Sequence, residues 1–414
     1  MTLKKNISSG NKSTNLLSIF QRYFSSKFNL ARIKFIYLLI SSLCKVKTVN
    51  FQKLSIGFDN KAVTSSNYRR IQRFLADVVL PMKWIAQLIF SLLPEKNNLI
   101  LVMDRTNWKL GGKDINILML GISYKNIAFP LMFKMLDKRG NSNTAERIAL
   151  INDFISWFGS DCIDCLLADR EFVGKEWIAF LNDNGIAYHI RIRENFMVFD
   201  PKKQVLAKAW HYFNNLKIGE LRHFHRIMVI NDEYCYISGM KTIKDNKIEF
   251  CIVISFNKPE ESLEKYAKRW QIETLFKAFK SSGFNLEDTH VTQMDRIEKL
   301  VLLVMLAFVW CYKIGDYIDT NIKAIRIMKH GNRAISIFKY GLDYLSRILI
   351  SGNNYLKINV YQFLSCSYSL SFNCLPKMVS RYFCNLLLGL SGIVISINPC
   401  SNAGFKYFAR KCSL

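Results

Sequence analysis

Along the first 97 residues, apolar positions recur at helical spacing and predict short amphipathic helices. These run over Asn15–Phe24, Ala31–Leu43, Ser66–Ala76 and Met82–Leu93, with a break at Gly57–Ala62. The pattern changes after Asn97 and Asn98. Leu99–Met103 is an apolar run of strand length that ends on Asp104. Two more strands follow, Ile115–Tyr124 and Ile127–Met135, joined by a tight turn at Lys125-Asn126. A helix at Asn143–Phe158 leads to a second buried strand, Cys162–Ala168, which again ends on an acid, Asp169. A helix at Lys175–Asn182 and a strand at Ala187–Ile192 come next. Short strands then dominate, among them Phe224–Ile230, Tyr234–Gly239 and Ile248–Ile254, until Pro259 opens a long helix to about Ser281. This is an α/β order with one β-rich module inserted into it.

Half of the 414 residues are apolar, enough for a sizeable core and two or three domains. The 58 Lys and Arg against 32 Asp and Glu give +26, an excess that suits a polyanion such as nucleic acid or an anionic membrane surface. Residues 1–97 hold 16 of these cations and only Asp59, Asp77 and Glu95, so +13 lies in under a quarter of the chain. Within them Arg69, Arg70 and Arg73 cluster at helical spacing beside Tyr68, as phosphate contacts do. Eleven irregularly spaced cysteines, five of them after position 360, argue against a secreted disulfide framework. Cys162 and Cys165 form a lone CxxC that reads as part of a buried strand, and His223 and His225 read as a half-exposed strand rather than a metal site. No signal peptide is evident, and Leu300–Tyr312 is uncharged but shorter than a bilayer requires. The expected setting is the cytoplasm, in association with the nucleoid, with no membrane partner.

The candidate chemistry lies in the joint placement of three acids. If the strands ending on Asp104 and Asp169 are neighbours, their carboxylates stand side by side at the carboxyl edge of one sheet, where open α/β sheets place ligands. The third acid is on the long helix. At ~100° per residue, Tyr266, Arg269, Glu273, Lys277 and Lys280 fall within about 80° of one another, while Ile272, Leu275, Phe276 and Phe279 form an adjoining apolar stripe. A Glu between cations at this spacing is commonly a surface ion-pair ladder. Combined with two aspartates, it supplies carboxylates for two Mg²⁺ ions about 3.5–4 Å apart and cations for the flanking phosphates.

Tyr266-x2-Arg269-x3-Glu273-x6-Lys280 resembles the YREK signature of bacterial transposases of the insertion-sequence-four family, DDE enzymes with an RNase H-like core. Asp104-Arg-Thr and Ala168-Asp169-Arg170-Glu171-Phe172 resemble that family's two aspartate motifs, in the same order, and the likeness covers roughly residues 60–345. The resemblance implies a cut-and-paste transposase that cleaves transposon ends and joins them to target DNA. It makes Asp104, Asp169 and Glu273 ligands for two Mg²⁺, for which Mn²⁺ can substitute. Tyr266, Arg269 and Lys280 become contacts to DNA near the scissile end. The partners it implies are double-stranded DNA, as terminal inverted repeats and target, and a second copy of the chain in a dimeric synaptic complex. In one respect the chain departs from the family. Hairpin-forming relatives hold a flipped base with a tryptophan inside the insertion, whose only tryptophan here is Trp210; Tyr234, Tyr236 and Phe250 are other aromatics able to stack on a base.

The domain organisation expected is a helical, basic, terminal-repeat DNA-binding region at 1–97, the first part of the RNase H-like core at 98–193, a β-rich insertion at 194–257, the second part of the core with following helices at 258–345, and a tail at 346–414. No acid follows Asp343, and residues 367–414 read as an extension beyond the usual family boundary. Two other functions fit the same fold: a DNA-binding descendant that no longer transposes, and a nuclease that cuts without joining. A membrane-surface protein rests on charge and the uncharged stretch Tyr382–Phe405 alone.

Overall fold

A computed structural model describes residues 20–351 other than Arg22, Asp245 and His330. Most of the helix expected at Asn15–Phe24, and the tail with the stretch Tyr382–Phe405 and its five cysteines, lie outside the described residues.

Helix formation at the start of the chain follows from its caps. The Asn29 side chain accepts from Arg32 N–H to open α1 (Leu30–Val46), and Asn50 accepts from Gln52 and Lys53 N–H to open α2 (Phe51–Ile56). Beyond the break come α3 (Thr64–Asp77) and α4 (Met82–Leu92). Their apolar faces join one hydrophobic core with the sheet and the later helices.

The central strands are β1 (Leu99–Leu110), β2 (Lys113–Tyr124), β3 (Ile127–Met135), then α5 (Thr144–Phe158), β4 (Ile163–Ala168), α6 (Lys175–Asp183) and β5 (Tyr188–Ile192). Lys125 and Asn126 both adopt positive φ, 45° and 67°, the backbone of a two-residue hairpin turn. Asn143 opens α5 with a full capping box to Glu146. β1 is longer than its apolar run. It continues through Asp104 to Leu110 because Thr106 and Trp108 are buried while Asn107 and Lys109 are exposed, the alternation of a one-sided antiparallel ribbon paired only with β2.

Residues 194–257, expected as a β-rich insertion, contribute β6 (Met197–Asp200), β7 (Val205–Lys208), β8 (Leu221–Ile230), β9 (Glu233–Lys244) and β10 (Lys247–Ser255). They do not form a sheet of their own. β10 pairs antiparallel with β5, giving a single ten-stranded mixed sheet among the described residues, in the order β3-β2-β1-β4-β5-β10-β9-β8-β6-β7.

The segment from Pro259 is a helix in pieces: a 3₁₀ turn at Pro259–Glu261, α7 (Ser262–Ala267), a second 3₁₀ turn at Lys268–Trp270, and α8 (Gln271–Lys280). The backbone stays right-handed throughout, but winds at about 120° per residue over the 3₁₀ turn instead of ~100°. The chain ends its described part with α9 (Met294–Asn321) and α10 (Ile337–Ser351). Every residue from Leu300 to Tyr312 is buried, so this uncharged run is protein core. No single described helix is long and apolar enough to cross a membrane. α9 also ties the N-terminal helices down: Lys299 donates to Leu75 O at 2.7 Å and Lys313 to Leu92 O at 3.4 Å, cations at the carbonyl ends of α3 and α4.

Candidate active site

β1 and β4 are parallel neighbours, and their ladder ends at the pair Met103 and Ala168. The next residue on each is an aspartate. Asp104 continues in β1 opposite Met119 of β2, whereas Asp169 has left β4 and begins a tight turn closed by Phe172 N–H donating to Asp169 O at 2.9 Å. Each carboxylate accepts from the N–H of the residue after it, Arg105 for Asp104 and Arg170 for Asp169, both at 2.7 Å.

The broken helix lies across this edge. Tyr266 donates its hydroxyl to Asp169 Oδ1 at 3.1 Å. Arg269 reaches Asp104 Oδ2 with Nη1 at 2.8 Å and Glu273 Oε1 with Nη2 at 2.7 Å, so one guanidinium bridges two of the three acids. Tyr266 and Arg269 are buried, and Glu273 remains partly open. Asp104, Asp169, Glu273, Tyr266 and Arg269 thus form one polar cluster. Lys280 stands at its margin: Nζ donates to Asn107 O at 2.7 Å, pairs with Glu287 and lies 5.4 Å from the centre of the Trp108 ring. Lys277 is exposed.

Burial drives the Asp104 carboxyl up to about 6, against the pull of Arg269 and the Arg105 N–H, and with Glu171 and Asp169 adding to the rise. Burial likewise raises the Tyr266 hydroxyl above its usual range. Arg269 feels burial as a downward push, yet Tyr266, Asp104 and Glu273 hold its proton more tightly than usual. The cluster therefore has an excess of negative charge that calls for a cation, and the guanidinium supplies one.

The same cluster bears on metal binding. Its donors are carboxylate oxygens, the hard ligands that Mg²⁺ and Mn²⁺ prefer. Among the described residues no three carboxylate, imidazole or thiol groups stand close enough to hold a metal ion, since Arg269 lies between Asp104 and Glu273.

Other candidates fall elsewhere. Cys162 and Cys165 are buried thiols at β4, and burial pushes Cys165 up to about 12. His223 is half-buried and His225 exposed, 3.7 Å from Glu260. Trp210 is in a 3₁₀ turn at Ala209–Phe213, and Tyr234 is exposed on β9. Trp270, outside the segment in which a base-stacking aromatic is expected, is 62% exposed directly beside Arg269. Its signal was a large aromatic at a position off the apolar stripe of α8.

A mixed sheet whose parallel pair presents two aspartates, with a glutamate and cations delivered by a crossing helix, has the carboxylate and cation groups that phosphodiester chemistry uses. The family model for the transposase DDE domain matches residues 96–310, a little over half of the chain, and the protein belongs to that family. It is a DNA-acting transposase of a class that cleaves nucleic acid with divalent metal ions. A comparison with curated proteins finds no match.

Proposed function

We propose that this chain is a cut-and-paste transposase of the insertion-sequence-four type, in which Asp104, Asp169 and Glu273 hold two Mg²⁺ ions and Tyr266, Arg269 and Lys280 contact DNA at the scissile end. The observation that carries this reading is the meeting of all three acids with Tyr266 and Arg269 at one sheet edge, where Tyr266 reaches back 97 residues to Asp169 and Arg269 reaches back 165 residues to Asp104. The strand order β3-β2-β1-β4-β5, in which β1, β3, β4 and β5 run one way and β2 alone runs against them, supports an RNase H-like core. The residue 194–257 insertion extends that core sideways, and residues 1–97 serve as the terminal-repeat DNA-binding region of a synaptic dimer.

Bound metal supplies activation of water or a 3′-hydroxyl and stabilises the leaving oxygen. The protein groups do the rest. Arg269 neutralises Asp104 and Glu273 before DNA arrives and then transfers its guanidinium to a phosphate, a bidentate partner of matching geometry. Tyr266 fixes the Asp169 carboxylate through its hydroxyl and has an aromatic face 5.8 Å from the Arg269 guanidinium. Lys280 places a point charge one helical turn beyond Lys277 for the next phosphate, and Trp270 offers an exposed indole on which a base can stack.

The test is strand cleavage and joining on the inverted repeats that flank the coding sequence, with Mg²⁺ or Mn²⁺. Asp104→Ala, Asp169→Ala and Glu273→Ala should each abolish cleavage and leave end binding largely intact. Full-rate cutting by Glu273→Ala would overturn the assignment, and cutting without joining would replace the transposase reading with a nuclease.

A further inference from the structure

Asp169 lies beyond the last ladder pair of β4, so no strand hydrogen bond fixes its carboxylate relative to Asp104. The turn that carries it is held by another device. Glu171, two residues on, takes Arg105 in a two-point ion pair, Nε to Oε1 at 3.3 Å and Nη2 to Oε2 at 3.3 Å. Arg105 directly follows Asp104 in β1, so this pair links the residue after one aspartate to the turn bearing the other.

Both ends of the link are braced. Arg105 Nη1 donates to Asn116 Oδ1 at 3.1 Å and Nη2 to Asn141 Oδ1 at 3.2 Å. Asn116, buried on β2, spends its amide on Lys138 O and Gly140 O, both at 3.0 Å. On the far side, buried Arg147 of α5 donates to Glu171 O at 3.0 Å and to Ser142 Oγ at 2.8 Å, and its guanidinium lies 4.9 Å from the ring centre of fully buried Phe172. Two arginines thus grip the turn, one by its side chain and one by its backbone. Pairs of this burial contribute little net stability, because desolvation offsets their attraction. What they provide here is position, since a bidentate contact fixes angle as well as distance.

We propose that Arg105 and Glu171 are positioning residues that set the Asp104 and Asp169 carboxylates to the spacing one metal ion needs. The inference rests on the metal-ligand reading of those aspartates. It places the work of the second acid motif in two residues, Asp169 as ligand and Glu171 as its brace.

The test uses the full chain without DNA, titrated with Mn²⁺ by calorimetry, alongside end cleavage and thermal unfolding. Glu171→Gln keeps the side chain's shape but gives up the charge and the two-point pairing. It should weaken Mn²⁺ binding by roughly 10-fold or more, as loss of a group that orients a metal ligand does. Cleavage kcat should fall alongside, with KM for end DNA changed less than about 2-fold, because neither residue is assigned to DNA binding. Arg105→Lys retains the charge without the fork and should show the same pattern, which guards against a misfolded first variant. The double variant should lose no more than the worse single one, as expected of two groups acting as a unit. Parent-like Mn²⁺ affinity in a folded Glu171→Gln protein would sink the proposal, as would a loss that only follows the fraction unfolded. Asp169→Asn separates the two levels: if it too leaves Mn²⁺ binding and cleavage intact, the metal-site reading itself fails.

Discussion

Asp104 carries a carboxyl in a setting that resists its ionisation, and Arg269 at 2.8 Å is the group that opposes that resistance. Helical spacing in the sequence correctly set Arg269 and Glu273 on one side of the helix, but spacing gives direction and not depth. A ladder of Arg, Glu and Lys looks solvated on a helical projection. Here Tyr266 and Arg269 are buried because the 3₁₀ turn and the crossing of the sheet edge press that side of the helix inward, a tertiary effect that local periodicity does not encode. His189 had no sequence signal at all. It lies 1% exposed in β5, and Nδ1 has no hydrogen-bond partner among the described residues. Burial, reinforced by the charge of Lys265 and only partly countered by Asp164 and Glu261, lowers its pKa to about 4. An unfolded histidine titrates near 6.5, so the folded protein binds fewer protons in the window between. Its stabilising contribution is complete above about pH 6.5 and is lost as pH falls toward 4. Between pH 7 and pH 5 this amounts to about 2 kcal/mol. Urea unfolding of parent and His189→Leu at both pH values should show the parent losing that much more than the variant; equal acid sensitivity would mean that His189 is not the group responsible.

At the scale of elements, strands were legible where they are buried on both faces and truncated where they are not. β4 is a largely apolar run and β5 is buried at four of its five positions despite His189 and Arg191, and both are legible to within a residue, whereas the polar alternation of Thr106 to Lys109 hides the second half of β1. The contact between α9 and α10 was not legible. It depends on two glycines meeting backbone: a Cβ at Gly341 would fall on the Cys311 carbonyl oxygen, and one at Gly315 on the Ile337 carbonyl oxygen. Phe308 and Phe338 stack beside this crossing at 4.7 Å. Alanine favours an isolated helix over glycine by about 1 kcal/mol, yet forcing these helices apart should reverse that and cost about 1–3 kcal/mol net. Gly341→Ala is therefore expected to lower the denaturant midpoint. Gly112→Ala, in the β1–β2 turn with open space around it, should not. A stabilised Gly341→Ala protein would show that the crossing is looser than described.

For the whole molecule, charge and packing point in different directions. The sequence marks residues 1–97 by composition, with +13 of the total +26, and this suggests a separable module. In the fold, α1 leans on α9 and α10, the helices that follow α8. Lys47 pairs with Asp343 of α10 at 2.7 Å, and Ser346 donates to Lys45 O at 3.2 Å. These contacts join residues some 300 positions apart, which no local pattern announces. What composition does report is the outer surface: Arg69, Arg70 and Arg73 are all exposed on α3, whose inner side buries Ile71, Phe74 and Leu75. If that arginine face meets the DNA backbone, each phosphate contact releases counterions and steepens the fall of affinity with salt by about 0.9 in log–log slope. Replacing all three with Gln should reduce the slope by up to about 2.7. Filter binding or fluorescence anisotropy across a salt series measures it, with end DNA and unrelated duplex compared. Both should lose affinity similarly, because phosphate contacts carry no sequence information. An unchanged slope would place the DNA path away from α3; a loss confined to end DNA would mean that these arginines read bases rather than backbone.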